Sequence, residues 1–226
     1  DDMIVDMILR PLLQAVGLIS KENDTNDEDP KSEEYMTLRL NVELIEDFLG
    51  PNEADHLLDE LTNTLEWRQD SISLFGKSHP IPRLQCFIAQ QGVRYRYSNL
   101  TMEGCGFPRV LESIKQKIKS TTNHSFNAVL CNLYRDGHDS MGWHSDNEVE
   151  LGEDPVIASL SLGSQRTFRF RAFKNKKETV DFELSHGSLL IMHAGVQKEW
   201  EHSVPRRLRV KQPRINLTFR LINPSR

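Results

Sequence analysis

The stretch Trp143-His144-Ser145-Asp146 holds the residue types best suited to chemistry. His144 and Asp146 stand two apart, so an extended backbone sends both side chains off the same face. An imidazole and a carboxylate side by side can hold one divalent metal but cannot close its coordination shell. A third protein ligand must come from elsewhere in the chain. If it is a histidine, the set becomes two His and one carboxylate with open positions, the arrangement used by non-haem Fe(II) oxygenases.

Eight histidines are available. His56 lies in a helical pattern, His79 and His138 sit among turn residues, and His124 follows Thr-Thr-Asn at an element boundary; these four read as surface histidines. His186 precedes Gly187 in a turn, His193 ends the apolar run Leu189-Leu190-Ile191-Met192, and His202 lies within Trp200-Glu201-His202-Ser203-Val204-Pro205. Spacing alone leaves these three open.

A second run of chemistry is Arg214-Ile215-Asn216-Leu217-Thr218-Phe219-Arg220-Leu221. Period-two alternation puts Arg214, Asn216, Thr218 and Arg220 on one face and four apolar residues on the other. A half-buried strand with its polar face in water has this pattern. Two arginines on one face could instead grip the two ends of a dicarboxylate, because guanidinium binds carboxylate bidentately. Upstream, Asn132 and Tyr134 share a face of Leu130-Cys131-Asn132-Leu133-Tyr134, and both can donate hydrogen bonds to a small anion.

Asn-x-Tyr, then His-x-Asp, a distant His, and Arg-x-Asn-x-Thr-Phe-Arg together resemble the AlkB family of Fe(II)- and 2-oxoglutarate-dependent dioxygenases. The similarity runs from about Leu74 to Ile222, and Phe-Asn-x-x-Leu-Cys-Asn-Leu-Tyr-Arg with Ala-Ser-Leu-Ser-Leu-Gly resembles its eukaryotic homologue two and three branch. The resemblance implies that His144, Asp146 and His202 hold Fe(II). It further implies that Asn132, Tyr134, Arg214, Asn216 and Arg220 hold 2-oxoglutarate, and that O2 is the co-substrate. The expected activity is oxidative demethylation of N-alkylated DNA bases, 1-methyladenine and 3-methylcytosine, with release of formaldehyde, succinate and CO2. The same chemistry on RNA or a protein side chain, and non-catalytic binding of alkylated nucleic acid, are the alternatives.

On the substrate side, the resemblance makes Leu74, Phe75 and Gly76 a wedge that fills the gap left by a flipped base, with Arg83 on the everted nucleotide's phosphate. Chemistry on a paired base requires its extrusion, at a cost that favours damaged, weakly paired bases. Tyr97 corresponds to the aromatic that stacks on the flipped base, and Tyr95 beside it could donate a hydrogen bond. Arg206, Arg207, Arg209 and Lys211 form a basic cluster suited to phosphates of the opposite strand, or to a solvated loop. Where the relatives carry Asp-Glu after His-x-Asp, this chain has Asn147-Glu148, which removes a negative charge beside a cationic methylated base.

These residues need a framework, and 226 residues suffice for one full-sized domain with its own core. Hydrophobic content of 38% and charged content of 27% suit a soluble globular protein, and no apolar run approaches the ~20 residues of a membrane span. The three cysteines, Cys86, Cys105 and Cys131, form neither a zinc signature nor a disulfide framework, which points to a reducing compartment, nuclear or cytoplasmic. Residues 1–34 hold ten acids against three bases, a net of −7, so the remaining 23 acids and 25 bases leave the body at +2. A helix-like start over Met3–Ile19, a candidate for packing on the body or on a protein partner, leads into an acidic flexible linker through residue 34. The dioxygenase domain is expected over 35–226, acting as a monomer on single- or double-stranded alkylated DNA and without a membrane.

Within that domain, Leu38, Leu40 and Val42 alternate as a strand. Pro51 opens a helix with Ala54, Leu57, Leu58, Leu61 and Leu65 on one stripe. Val110, Leu111, Ile114 and Ile118 mark a second helix, with Lys115, Lys117 and Lys119 on its solvated face. From Ser125 onward short strands follow over 126–134, 156–162, 166–173, 179–184, 187–193 and 214–222. The expected fold is mainly β with supporting helices (α+β), and the resemblance implies a double-stranded β-helix, or jelly roll, with the site between its sheets.

Overall fold

The computed structural model describes residues 40–74, 77–97 and 100–223. The expected N-terminal helix and acidic linker fall outside the described residues. The chain begins with β1 (Val42–Ile45) and α1 (Pro51–Thr64), followed by β2 (Ser71–Leu74), β3 (Lys77–Pro80), β4 (Leu84–Ala89), β5 (Arg94–Tyr97) and β6 (Leu100–Glu103). After α2 (Arg109–Thr122) come β7 (Ala128–Tyr134), β8 (Met141–His144), β9 (Ile157–Gly163), β10 (Arg166–Ala172), β11 (Thr179–Leu184) and β12 (Leu189–Met192). The short α3 (Val196–Glu199), β13 (Trp200–Val204) and β14 (Arg214–Arg220) complete the order.

The strands build a six-stranded sheet, β1-β12-β9-β14-β7-β4, and a four-stranded sheet, β11-β10-β13-β8, with every pairing antiparallel. Two small ladders, β2-β3 and β5-β6, stand apart from both. One face of the larger sheet supports the helices. Ala54, Leu57 and Leu61 of α1 and Leu111, Ile114 and Ile118 of α2 pack against Val129, Cys131, Leu133, Ile215, Leu217 and Phe219. The other face meets the smaller sheet, where Ile157, Leu190 and Met192 pack with Phe168, Phe170, Val180 and Val204. This is the jelly-roll sandwich, and its cleft opens between the two sheets.

Local chemistry accounts for the element ends. Pro51 starts α1 with its preset φ, and α2 stops at Asn123, whose left-handed φ of 59° lets its N–H reach Lys119 O. Gly163 turns β9 into β10 at φ 86°, where an added Cβ would come within 2.5 Å of Pro213 O. One expectation fails on α2: Lys115 is 5% exposed, not solvated. Its ammonium pairs with Glu112 at 2.7 Å and lies 4.2 Å from the Phe107 ring centre. No helix among the described residues is long and apolar enough to cross a membrane.

Candidate active site

Antiparallel pairing of β8 with β13 sets His144 directly opposite His202, and their ring centres lie 4.3 Å apart. Asp146 joins them, and one ligand atom from each of the three residues falls within 4.8 Å of the others. The expectation that His144 and Asp146 share one strand is corrected here. β8 ends at His144, and Asp146 lies just beyond it, held by donation of its backbone N–H to Gln197 Oε1 at 2.9 Å. A buried glutamine therefore does the positioning that strand pleat was expected to do.

Each ring is oriented from behind. The His144 Nδ1–H donates to Gly142 O at 2.9 Å, which leaves Nε2 with its lone pair. Phe168 stacks on the His202 ring at 5.0 Å and Phe170 meets it edge-on at 5.9 Å. Burial, with His144 adjacent, holds the His202 pKa down at about 3, and burial also lowers that of His144, so both are neutral donors at neutral pH. Burial pushes Asp146 upward, but Arg220, His202 and His144 outweigh it and hold the carboxyl at about 2. Asp146 Oδ1 accepts from Arg220 Nη2 at 2.7 Å, while Oδ2 is buried with no hydrogen-bond partner. Two neutral imidazoles facing an unpartnered carboxylate oxygen fit a divalent cation.

The other candidate histidines are committed elsewhere. His186 Nδ1 accepts the Gly163 N–H at 2.7 Å and its Nε2 faces Asp55 at 3.2 Å, while His193 faces Glu43 at 3.5 Å.

Beside the His144-Asp146-His202 cluster, the inner face of the larger sheet is polar in successive rows. Asn132 pairs with Asn216 and Asn216 with Ser161; Tyr134 pairs with Arg214; Leu130 pairs with Thr218 and Thr218 with Ser159. The alternation expected of β14 is present, but its polar face looks into the protein: Arg214, Asn216, Thr218 and Arg220 are all buried. Arg214 donates from Nη2 to Ser161 Oγ at 2.9 Å and lies 5.3 Å from the Tyr134 ring centre. Its Nε and Nη1 are buried without hydrogen-bond partners. Burial lowers its pKa to about 10, so it stays charged at neutral pH. A buried cation with two idle donors is costly unless an anion completes it. Asn132, Tyr134, Asn216, Thr218 and Arg220 line one cleft with His144, Asp146 and His202.

The outer residues divide. Arg83 is corrected: it is 4% exposed, not at the surface for a phosphate, and donates from Nε to Asn132 Oδ1 at 2.9 Å. Arg206, Arg207 and Arg209 are all exposed, but Arg207 turns back to Glu183 and Thr167, which commits its charge. Asn147 is exposed and Glu148 half-buried beside the Asp146 turn. Leu74 closes the β2-β3 ladder against Lys77, and Tyr95 and Tyr97 lie on β5 opposite Met102 and Leu100. Phe75 and Gly76 fall outside the described residues, as do the side-chain roles expected of Leu74, Tyr95 and Tyr97.

Sequence reasoning did not single out Gln197, Phe168 or Arg166. Arg166 is 1% exposed, donates to Asp139 O and Pro205 O at 2.8 Å each and to Asp136 O at 3.2 Å, and lies 5.5 Å from the Tyr134 ring centre. It ties two loops to Tyr134 on the cleft wall, yet an arginine on an alternating strand gives no signal of that in sequence.

Residues 41–220 match the family model described as "2OG-Fe(II) oxygenase superfamily". Alpha-ketoglutarate-dependent dioxygenase alkB homolog 3 of Mus musculus is 41% identical over 187 residues, covering 79% of this chain and 65% of the relative. The chain thus spans just under two thirds of that relative's length. DNA oxidative demethylase ALKBH2 of Mus musculus is 39% identical over 187 residues, covering 78% of each chain. The solved structure of OsALKBH1 shares the fold, with a TM-score of 0.58 at 17% identity over 79% of this chain and 97% of that one. With the family model spanning the whole sandwich, and with its buried His-Asp-His cluster and arginine-bearing strand, the chain belongs to the 2OG-Fe(II) oxygenase superfamily, on its AlkB-homologue branch.

Proposed function

We propose that the chain is an Fe(II)/2-oxoglutarate-dependent demethylase of N-alkylated bases in DNA. The observation that carries this is an incomplete metal-ligand set in a buried cleft whose Tyr134 wall is backed by the Arg214 guanidinium, itself buried with two unpartnered donors. The relative named as DNA oxidative demethylase supplies the substrate class, and the relative named as an alpha-ketoglutarate-dependent dioxygenase supports the co-substrate. His144, Asp146 and His202 would hold the iron. When bound, Fe(II) with 2-oxoglutarate and O2 supplies hydroxylation of the N-methyl carbon, giving succinate, CO2 and a hydroxymethyl group that leaves as formaldehyde.

The chain's own residues prepare that chemistry. Arg214, beside Tyr134, would take one carboxylate of the dicarboxylate through its idle Nε and Nη1, with Asn132, Tyr134 and Asn216 lining the adjoining cleft. Arg220 keeps Asp146 ionised by neutralising Oδ1 and leaves Oδ2 for the metal. Phe168 and Phe170 fix the His202 ring and keep water from its inner face. Exposed Arg206 and Arg209 supply charge for nucleic-acid phosphates. The three free cysteines support a reducing compartment, nuclear or cytoplasmic.

The test is formaldehyde release from matched single- and double-stranded oligonucleotides carrying 1-methyladenine or 3-methylcytosine, beside the same lesions in RNA. Release from DNA supports the proposal. Release from RNA alone, or from neither nucleic acid while a peptide is hydroxylated, overturns the substrate assignment and keeps the reaction class.

A further inference from the structure

Three buried polar side chains meet at one atom on the cleft wall. Asn132 Oδ1 accepts from Arg83 Nε at 2.9 Å and from Gln85 Nε2 at 2.9 Å. All three residues are buried, at 2%, 4% and 5% exposure. Gln85 is the direct cross-strand partner of Asn132 in the β4-β7 ladder, so its approach is fixed by register and not by a flexible reach. Arg83 is anchored a second time, at Ser140 O, 3.5 Å away, on the loop leading into β8.

The chemistry of the donors decides which way the Asn132 amide points. A guanidinium can only donate, so the Asn132 atom facing Arg83 must be the oxygen. The amide nitrogen then faces the opposite way, and it has no hydrogen-bond partner among the described residues. Asn132 lines the cleft that Tyr134, Asn216 and Arg220 also line. Two donors are thus spent on holding one amide so that an NH2 group, and not a carbonyl, is presented where an anion would sit.

We infer that Arg83 and Gln85 are positioning residues that act through Asn132 and set the affinity of the cleft for the carboxylate of 2-oxoglutarate. The inference rests on the oxoglutarate reading given above and deepens it. It assigns to Gln85 a role in the reaction and to Arg83 a role other than contact with a nucleic-acid phosphate. A reversed amide would aim its oxygen at the carboxylate, turning one favourable contact into a repulsion.

The test measures binding of 2-oxoglutarate to Mn(II)-loaded protein by calorimetry, so no turnover is needed. Gln85→Glu is nearly isosteric but replaces the donor by an acceptor, which favours the reversed amide; its oxoglutarate Kd should rise about ten-fold. Arg83→Lys keeps the charge but loses the fixed Nε–H, and its Kd should rise several-fold while affinity for a duplex oligonucleotide stays the same. In an Asn132→Ala background, neither substitution should weaken oxoglutarate further, because the atom they act through is gone. A melting curve of each variant accompanies the titrations.

Unchanged Kd in both single variants, with wild-type protein binding oxoglutarate, would overturn the inference. So would an equal further loss in the Asn132→Ala background, which would mean that the two residues act on the fold. Loss of oligonucleotide affinity in Arg83→Lys with oxoglutarate affinity intact would return Arg83 to the phosphate. Failure of wild-type protein to bind oxoglutarate at all would instead refute the functional reading beneath the inference.

Discussion

Arg220 donates from Nη2 to Oδ1 of Asp146 at 2.7 Å, with the two side chains 5% and 2% exposed. The pair divides the carboxylate: one oxygen is neutralised by the protein, and the other is buried without a hydrogen-bond partner, where the proposed metal would bind. Arg220 is therefore a support for the proposed ligand set as well as a proposed contact for the co-substrate.

Arg220→Met should expose this division. Removing the guanidinium leaves a buried carboxylate uncompensated, at a cost of roughly 3–5 kcal/mol to the metal-free protein. Mn(II) should return much of that loss, since a cation on Asp146 Oδ2 supplies the missing charge. Melting curves with and without Mn(II) measure it, and a deficit untouched by the metal would count against the division.

Arg214→Met should behave in the opposite way. The wild-type guanidinium is buried with two idle donors, so an apolar residue of similar length should leave the melting temperature unchanged or raise it. Oxoglutarate binding should meanwhile weaken ten- to a hundred-fold, about 1.5–3 kcal/mol for a lost charged hydrogen bond. A destabilised variant with normal oxoglutarate affinity would make Arg214 a structural residue.

The proposed metal ligands separate cleanly from the other histidines. Mn(II) binding should be lost in His144→Ala, Asp146→Ala and His202→Ala and kept in His186→Ala and His193→Ala, whose rings serve Gly163, Asp55 and Glu43. Metal retention in His202→Ala with loss in His193→Ala would identify a different third ligand.

Gly137 packs where loop 205–211 crosses the loop after β7: Arg207 N–H donates to its carbonyl, and an added Cβ would sit 1.7 Å from Arg207 O. Gly137→Ala should cost at least ~2 kcal/mol by denaturant titration, because backbone must move. A neutral effect would show that this basic loop docks loosely.

Much of this was legible in the residues. Periodicity placed both helices and six strands of the sandwich, because there the apolar face repeats without interruption. β13 was not read as a strand, since His202 occupies one of its inward positions between Trp200 and Val204 and interrupts the apolar pattern. The two-residue spacing of His144 and Asp146 suggested one strand, where the chain instead leaves β8 and relies on Gln197, a contact across fifty-one residues that spacing cannot encode. Arg83 looked like a surface cation for the same reason. Its partner Asn132 is forty-nine residues away and becomes a neighbour only when β4 pairs with β7.

The wedge assignment rests on sequence, because Phe75 lies outside the described residues. If its ring fills the vacated stack, Phe75→Ala should lose activity on duplex by about ten-fold or more and keep most of it on single strands, which need little unstacking. Equal loss on both, with a lowered melting temperature, would place Phe75 in the core.

The most direct test of the account couples two products in one assay. Wild-type protein with Fe(II), 2-oxoglutarate and a duplex oligonucleotide carrying 1-methyladenine should release formaldehyde and succinate in equal amounts, and His202→Ala should release neither. Succinate without formaldehyde, or formaldehyde that persists in His202→Ala, would contradict the claim that this cluster and this cleft together form the demethylating site.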